Sequence, residues 1–139
     1  MASSAVVSTE VRLSFPDEVV RVVGVSHYQE PLVEIAGEPG AGRVRHAVTA
    51  ALEPEPSNPH DPNAVKVLVQ DRLVGYLSRD DALRYGPAVR LLREHDRVLV
   101  CDAVIGGRGP DAGTTNLGVF LELPRAPEAV LEAQALTRV

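Results

Sequence analysis

A chain of 139 residues, 45% of them hydrophobic, has the size and apolar content of one domain with one core. Its longest apolar runs, such as Val65 to Val69, fall far short of the roughly 20 residues a membrane-spanning helix needs, and Met1 to Thr9 has neither the basic start nor the apolar run of a secretory signal, so a cytoplasmic protein is expected. The formal charge of −5 argues against a broad phosphate-binding surface, although Lys66, Arg72, Arg79, Arg84, Arg90, Arg93 and Arg97 lie close together in the sequence and leave room for a local basic face.

Residues 1–17 read as a flexible N-terminal segment, 18–124 as the folded domain and 125–139 as a C-terminal helix or tail. Val19 to Val25 has the β-branched density of a strand, and Val44 to Leu52 alternates as Val44, His46, Val48, Ala50, Leu52. Between them, Ala36 to Gly42 is rich in Gly and reads as a hairpin tip. No Lys-Ser/Thr pair follows those glycines, so they make a weak phosphate cradle.

The segment Glu53 to Asn63 carries four prolines and is expected to be a loop. Ala64 to Val69 and Leu73 to Leu77 then flank Gln70-Asp71-Arg72 as a β-hairpin. Ser78 is a helix N-cap, with Asp80 and Asp81 suited to the positive helix start. Gly86-Pro87 is expected to end this helix and begin a second one running to about His95, giving a helical hairpin. Strands return at Val98 to Ile105 and Leu117 to Leu123, with Gly106 to Gly113 as the connecting loop.

Cys101 follows Val98-Leu99-Val100 and reads as a buried structural thiol. As the only cysteine it allows neither a disulfide framework within the chain nor a Cys-rich zinc site. Pro124 and Pro127 mark a break before an Ala- and Leu-rich helix, Glu128 to Arg138, which either packs on the domain or serves as a dimer contact. The expected fold is mainly β with inserted helices: a barrel of about six strands, a two-helix hairpin and a C-terminal helix.

One stretch carries a recognisable pattern. Glu55-Pro56-Ser57-Asn58-Pro59-His60-Asp61-Pro62-Asn63-Ala64-Val65-Lys66-Val67, then Val74-Gly75-Tyr76-Leu77 and a helix, resembles the HIRAN domain. Upstream, Val23-Gly24-Val25-Ser26-His27-Tyr28 resembles that family's first-strand motif, so the resemblance spans roughly residues 20 to 123. It implies a small OB-like barrel of the kind found in helicase-like DNA-repair ATPases and in stand-alone bacterial proteins. It also implies a non-catalytic module that grips the 3′ end of single-stranded DNA, without a cofactor.

The resemblance distributes roles over named positions. A terminal 3′-hydroxyl both donates and accepts a hydrogen bond, and Asp61 is the candidate acceptor that would read it. Asn58 becomes a polar clamp beside it. His60 occupies a position that is often Tyr in the family. His27, Tyr28 and Tyr76 are candidate stacking walls, and Arg79, in the first turn of a helix with free amides, a phosphate contact.

Each of these residues also has a plainer explanation. Asn58, Asp61 and Asn63 are the side chains that order turns by bonding their own backbone. Tyr28 and Tyr76 suit a barrel rim, and Arg79, Arg84 and Arg90 suit a solvated helix face. Two rival functions follow: a protein-interaction barrel without DNA binding, favoured by the acidic charge and the C-terminal helix, and a metal-dependent hydrolase or nuclease built on His60 and Asp61. The second lacks a further cluster at ligand spacing and any nucleophile motif. A DNA-repair ATPase or another protein is the expected partner class beside single-stranded DNA.

Overall fold

The computed structural model describes residues 9–37, 43–108 and 116–138. Within them seven strands, β1 (Thr9–Arg12), β2 (Glu18–Arg21), β3 (Arg43–Pro54), β4 (Val65–Val69), β5 (Arg72–Tyr76), β6 (Arg97–Arg108) and β7 (Asn116–Leu123), are joined by three α-helices. These are α1 (Gln29–Ala36), α2 (Arg79–Glu94) and α3 (Ala126–Thr137). No helix among the described residues is long and apolar enough to cross a membrane.

The strands run in the order β2-β7-β6-β3-β4-β5, with β1 added in parallel to the start of β6. Alternation sets their faces: Val65, Val67 and Val69 of β4 and Leu117, Val119, Leu121 and Leu123 of β7 point into one core. The sheet is mainly antiparallel and does not close into a barrel. Its ends, β2 and β5, are linked by one isolated bridge, in which Val23 and Tyr76 exchange backbone hydrogen bonds of 2.8 and 3.0 Å.

Several expectations change. Thr9–Arg12, inside the segment expected to be flexible, is a strand whose register runs from Thr9 opposite Arg97 to Arg12 opposite Val100. The strand expected over Val19 to Val25 stops early, because Val25–His27 turns into a 3-10 helix that leads directly into α1. That helix was not legible as one. Ala36 therefore ends a helix and Gly37, at φ 84°, caps it, so these residues are no hairpin tip, and 38–42 lie outside the described residues. Glu53 and Pro54 finish β3 instead of opening the loop, Pro54 sitting at the strand end where its missing N–H costs least.

The helical hairpin is one continuous helix. Ser78 caps it, its Oγ accepting from the Asp81 amide at 3.1 Å, and Pro87 lies inside it. Pro87 faces solvent while Tyr85, Gly86, Ala88, Val89 and Leu92 are buried, so the core holds both halves in line. The freed carbonyl is that of Leu83, an exposed residue that water can reach. Gly106 and Gly107 also belong to a strand, paired with Arg45 and Val44, and 109–115 lie outside the described residues. Of the two options for the C-terminal helix, packing is realised: Ala126, Ala129 and Ala133 are buried where α3 meets α2.

Gly75 fixes the seam between β5 and β2. A Cβ there would meet Val22 Cγ1 at 2.5 Å and the Val23 carbonyl oxygen at 2.7 Å, the latter being immovable backbone. Gly75→Ala is therefore expected to cost about 1–3 kcal/mol through overpacking and to lower the thermal midpoint by several degrees. Circular dichroism melting checks this, and an unchanged midpoint would mean that the seam is not a close contact.

Candidate nucleic-acid interface

The loop between β3 and β4 is organised by its Asx side chains. Asn58 Oδ1 accepts from the amides of His60 and Asp61 at 2.8 and 3.1 Å, and Asp61 Oδ1 accepts from the Asn63 amide at 2.9 Å. Backbone bonds from Glu55 to Ala64 (2.8 Å) and from Ala64 to Asp61 (3.1 Å) close its neck. With Pro56, Pro59 and Pro62 restricting the chain, the loop has one shape without a hydrophobic core of its own.

Glu55, for which the sequence suggested no role, is the hub beneath this loop. Its Oε1 accepts from Asn58 Nδ2 at 2.6 Å, and its two oxygens lie 3.0 and 3.3 Å from the Tyr76 hydroxyl, which donates to them. Burial pushes the Tyr76 phenol up to about 12, and the hydrogen bond to Glu55 adds to this because a phenolate would face a carboxylate. Tyr28 adds a smaller push in the same direction. The available signal was the acidic residue that opens the motif.

A cavity of about 310 Å³ opens here, lined by Asn58, His60, Asp61, Ala64, Tyr76, Leu77 and Arg79. That is at the small end of the range for small-molecule sites. Arg79 donates to the His60 carbonyl at 3.1 Å and forms no ion pair with any described residue. Asp61 keeps one carboxylate oxygen unbonded by the described residues. The structure thus brings Asn58, His60, Asp61, Tyr76 and Arg79 together, with Tyr28 at the edge through Tyr76. His27 stays outside the lining, exposed, with its ring edge-on to Tyr28 at 6.5 Å between centroids.

Among the described residues no group of three His, Cys, Asp or Glu side chains could hold a metal ion. Cys101 is buried, which pushes its thiol up to about 12 and keeps it protonated and unreactive at neutral pH.

The HIRAN domain family profile matches residues 18–104. The chain belongs to the HIRAN family. HIRAN domains are in general modules that bind the 3′ end of single-stranded DNA. The match takes in the whole β3–β4 loop, Tyr76 and Arg79. The crystal structure of the HIRAN domain of human HLTF is similar at 15% identity, with a TM-score of 0.34, over 90% of this chain and 97% of that one. No curated protein matches the chain.

The Glu55 to Tyr76 bond can be read optically. Because the folded-state value is raised, the stabilisation it brings is complete below the ordinary phenol value near 10 and is lost as pH rises through about 12. In an alkaline absorbance titration, Tyr76→Phe should remove a component ionising near 12, and Glu55→Gln should move that component to lower pH. A component unmoved by Glu55→Gln would show that the carboxylate does not hold the phenol.

Proposed function

We propose that this domain binds the 3′-terminal nucleotide of single-stranded DNA in the cavity between the β3–β4 loop and Tyr76, without catalysing a reaction on it. The observation that carries this reading is that an Asp61 carboxylate oxygen bonded by no described residue and an Arg79 guanidinium in no ion pair with a described residue line one small cavity. Asp61 accepts a hydrogen bond from the terminal 3′-hydroxyl, a donor that no internal nucleotide has. A 3′-phosphate would set like charges against each other there. Arg79 holds the adjoining phosphate.

Tyr76 gives the wall against which the terminal base or sugar rests, held in place by Glu55, and Tyr28 extends it. Contacts to hydroxyl, phosphate and ring face do not read base identity, so binding is sequence-tolerant. Few phosphates are neutralised, so affinity is modest and falls gently with salt. A partner ATPase or nuclease supplies any chemistry on the captured end.

Fluorescence anisotropy with a short oligonucleotide tests this. A strand with a free 3′-hydroxyl is expected to bind at least about tenfold more tightly than its 3′-phosphorylated twin, since a hydrogen bond to a charged group is worth about 1.5–3 kcal/mol. Asp61→Ala should erase that preference, whereas Arg79→Gln should weaken both strands alike and reduce the salt slope by about 0.7. Absence of binding to either strand at low salt would sink the reading and favour a peptide ligand.

A further inference from the structure

The bridge between Val23 and Tyr76 continues the outward sheet face from the cavity onto β2 and β7. Val22 is buried and Val23 is exposed, so Val23 and Arg21 point outward. Arg21 stands opposite Phe120 on β7, and the same face continues to β6 and β3 through the pairs Gly106 with Gly118 and Gly106 with Arg45. From Tyr76 across Val23 to Gly118 is two strand spacings, about 10 Å.

Phe120 does not stand up from this face. Its ring leans over Gly118, where an added Cβ would come within 3.3 Å of two ring carbons, and it reaches Gly106 as well, at 4.0 Å from that position. Two adjacent residues without side chains therefore leave a flat bed on which an aromatic ring lies, half-buried, on the outward face of the sheet. Arg21 lies beside it and Arg45 beyond it, both exposed and neither in an ion pair with a described residue. A shallow hollow of about 430 Å³ between Arg45 and Val104 continues the surface, bounded on its far side by Asp102 and Glu122.

We propose that this face, with Phe120 as a stacking platform and Arg21 and Arg45 as phosphate contacts, carries the nucleotides that precede the terminal one. The inference rests on the end-binding reading and deepens it: the cavity takes the terminus and the sheet face takes the strand leading into it. Charge complementarity selects the occupant. Cations in no ion pair with a described residue flank the ring, and at the opposite edge, where Asp102 is already paired with Arg12, the Glu122 carboxylate repels phosphate and biases the backbone toward the Arg21 and Arg45 side. An aromatic ring on an open sheet face stacks any base.

The test compares oligothymidylates of two and eight nucleotides, each with a free 3′-hydroxyl and with a 3′-phosphate, by anisotropy. The wild-type protein is expected to bind the longer strand about tenfold more tightly than the shorter, the size of one stacked base. Phe120→Leu should remove most of that gain while leaving both the 3′-hydroxyl preference and the thermal midpoint intact, and Phe120→Tyr should restore it. Arg21→Gln and Arg45→Gln should each lower the salt slope for the longer strand by about 0.7 and leave the dinucleotide unaffected. A longer strand that binds no better than the dinucleotide, or a gain that survives Phe120→Leu, overturns the proposal. Loss of the 3′-hydroxyl preference with the length gain intact strikes instead at the end cavity, so the two failures are distinct.

Discussion

At the seam between β5 and the end of β2, Gly75 lets two backbones approach until Val23 and Tyr76 exchange a pair of hydrogen bonds. Much else follows from that contact. It holds the 3-10 turn and Tyr28 beside the β4–β5 hairpin, and it brings Tyr76 to the rim where Glu55 rises from β3. It also joins the two ends of an open sheet with a minimum of pairing, so that one outward face runs from the loop cavity to β7. A side chain at position 75 would force apart the elements that make up the site.

The loop beside the seam works on a different principle. Apolar burial orders the sheet, whereas the 55–63 segment is ordered by polar side chains that satisfy its own backbone and by prolines that narrow its unfolded ensemble. The result is a preorganised rim in which Asn58 serves as a scaffold and Asp61 commits one carboxylate oxygen to the loop. A structural and a ligand-facing reading of Asp61 therefore do not compete, because one oxygen orders the loop and the other is bonded by no described residue. For Asn58 the carboxamide oxygen is bonded twice within the loop and the nitrogen once to Glu55, so it shapes the loop while one of its two N–H donors is bonded by no described residue.

What the sequence made legible was what short-range rules govern. The hairpin formed where β-branched alternation meets a tight turn, although the turn is Gln70 and Asp71 alone, at φ of 52° and 62°, and Arg72 already opens β5. The Ser78 cap and the Asx loop were legible for the same reason. Misreadings arose where tertiary packing overrides local preference. Gly86-Pro87 breaks an isolated helix, but with Ala88, Val89 and Leu92 buried, the core keeps α2 whole. The eight residues of α1 have a single fully buried anchor, Leu32, and are held by Gln29, whose side chain bonds both backbone groups of Leu117. A partner 88 residues away leaves no trace in a local pattern. Glu55 escaped notice similarly, since its partner Tyr76 lies across the sheet.

The acidic total charge looks incompatible with a nucleic-acid ligand only while charges are summed. Arg12 is paired with Asp102, Arg72 with Glu34, Arg84 with Glu18 and Asp81, and Arg125 with Glu128. These exposed pairs add little stability, but each removes a cation from the pool that phosphate can meet. Arg21, Arg45 and Arg79 are in no such pair with a described residue, and all three lie on or beside the outward face that Tyr76 and Phe120 share. Distribution, not the sum, thus decides where a polyanion can approach. Lys66, Arg90, Arg97 and Arg138 are likewise in no ion pair with a described residue, so what sets Arg21, Arg45 and Arg79 apart is their place on or beside the face that carries the two aromatic rings.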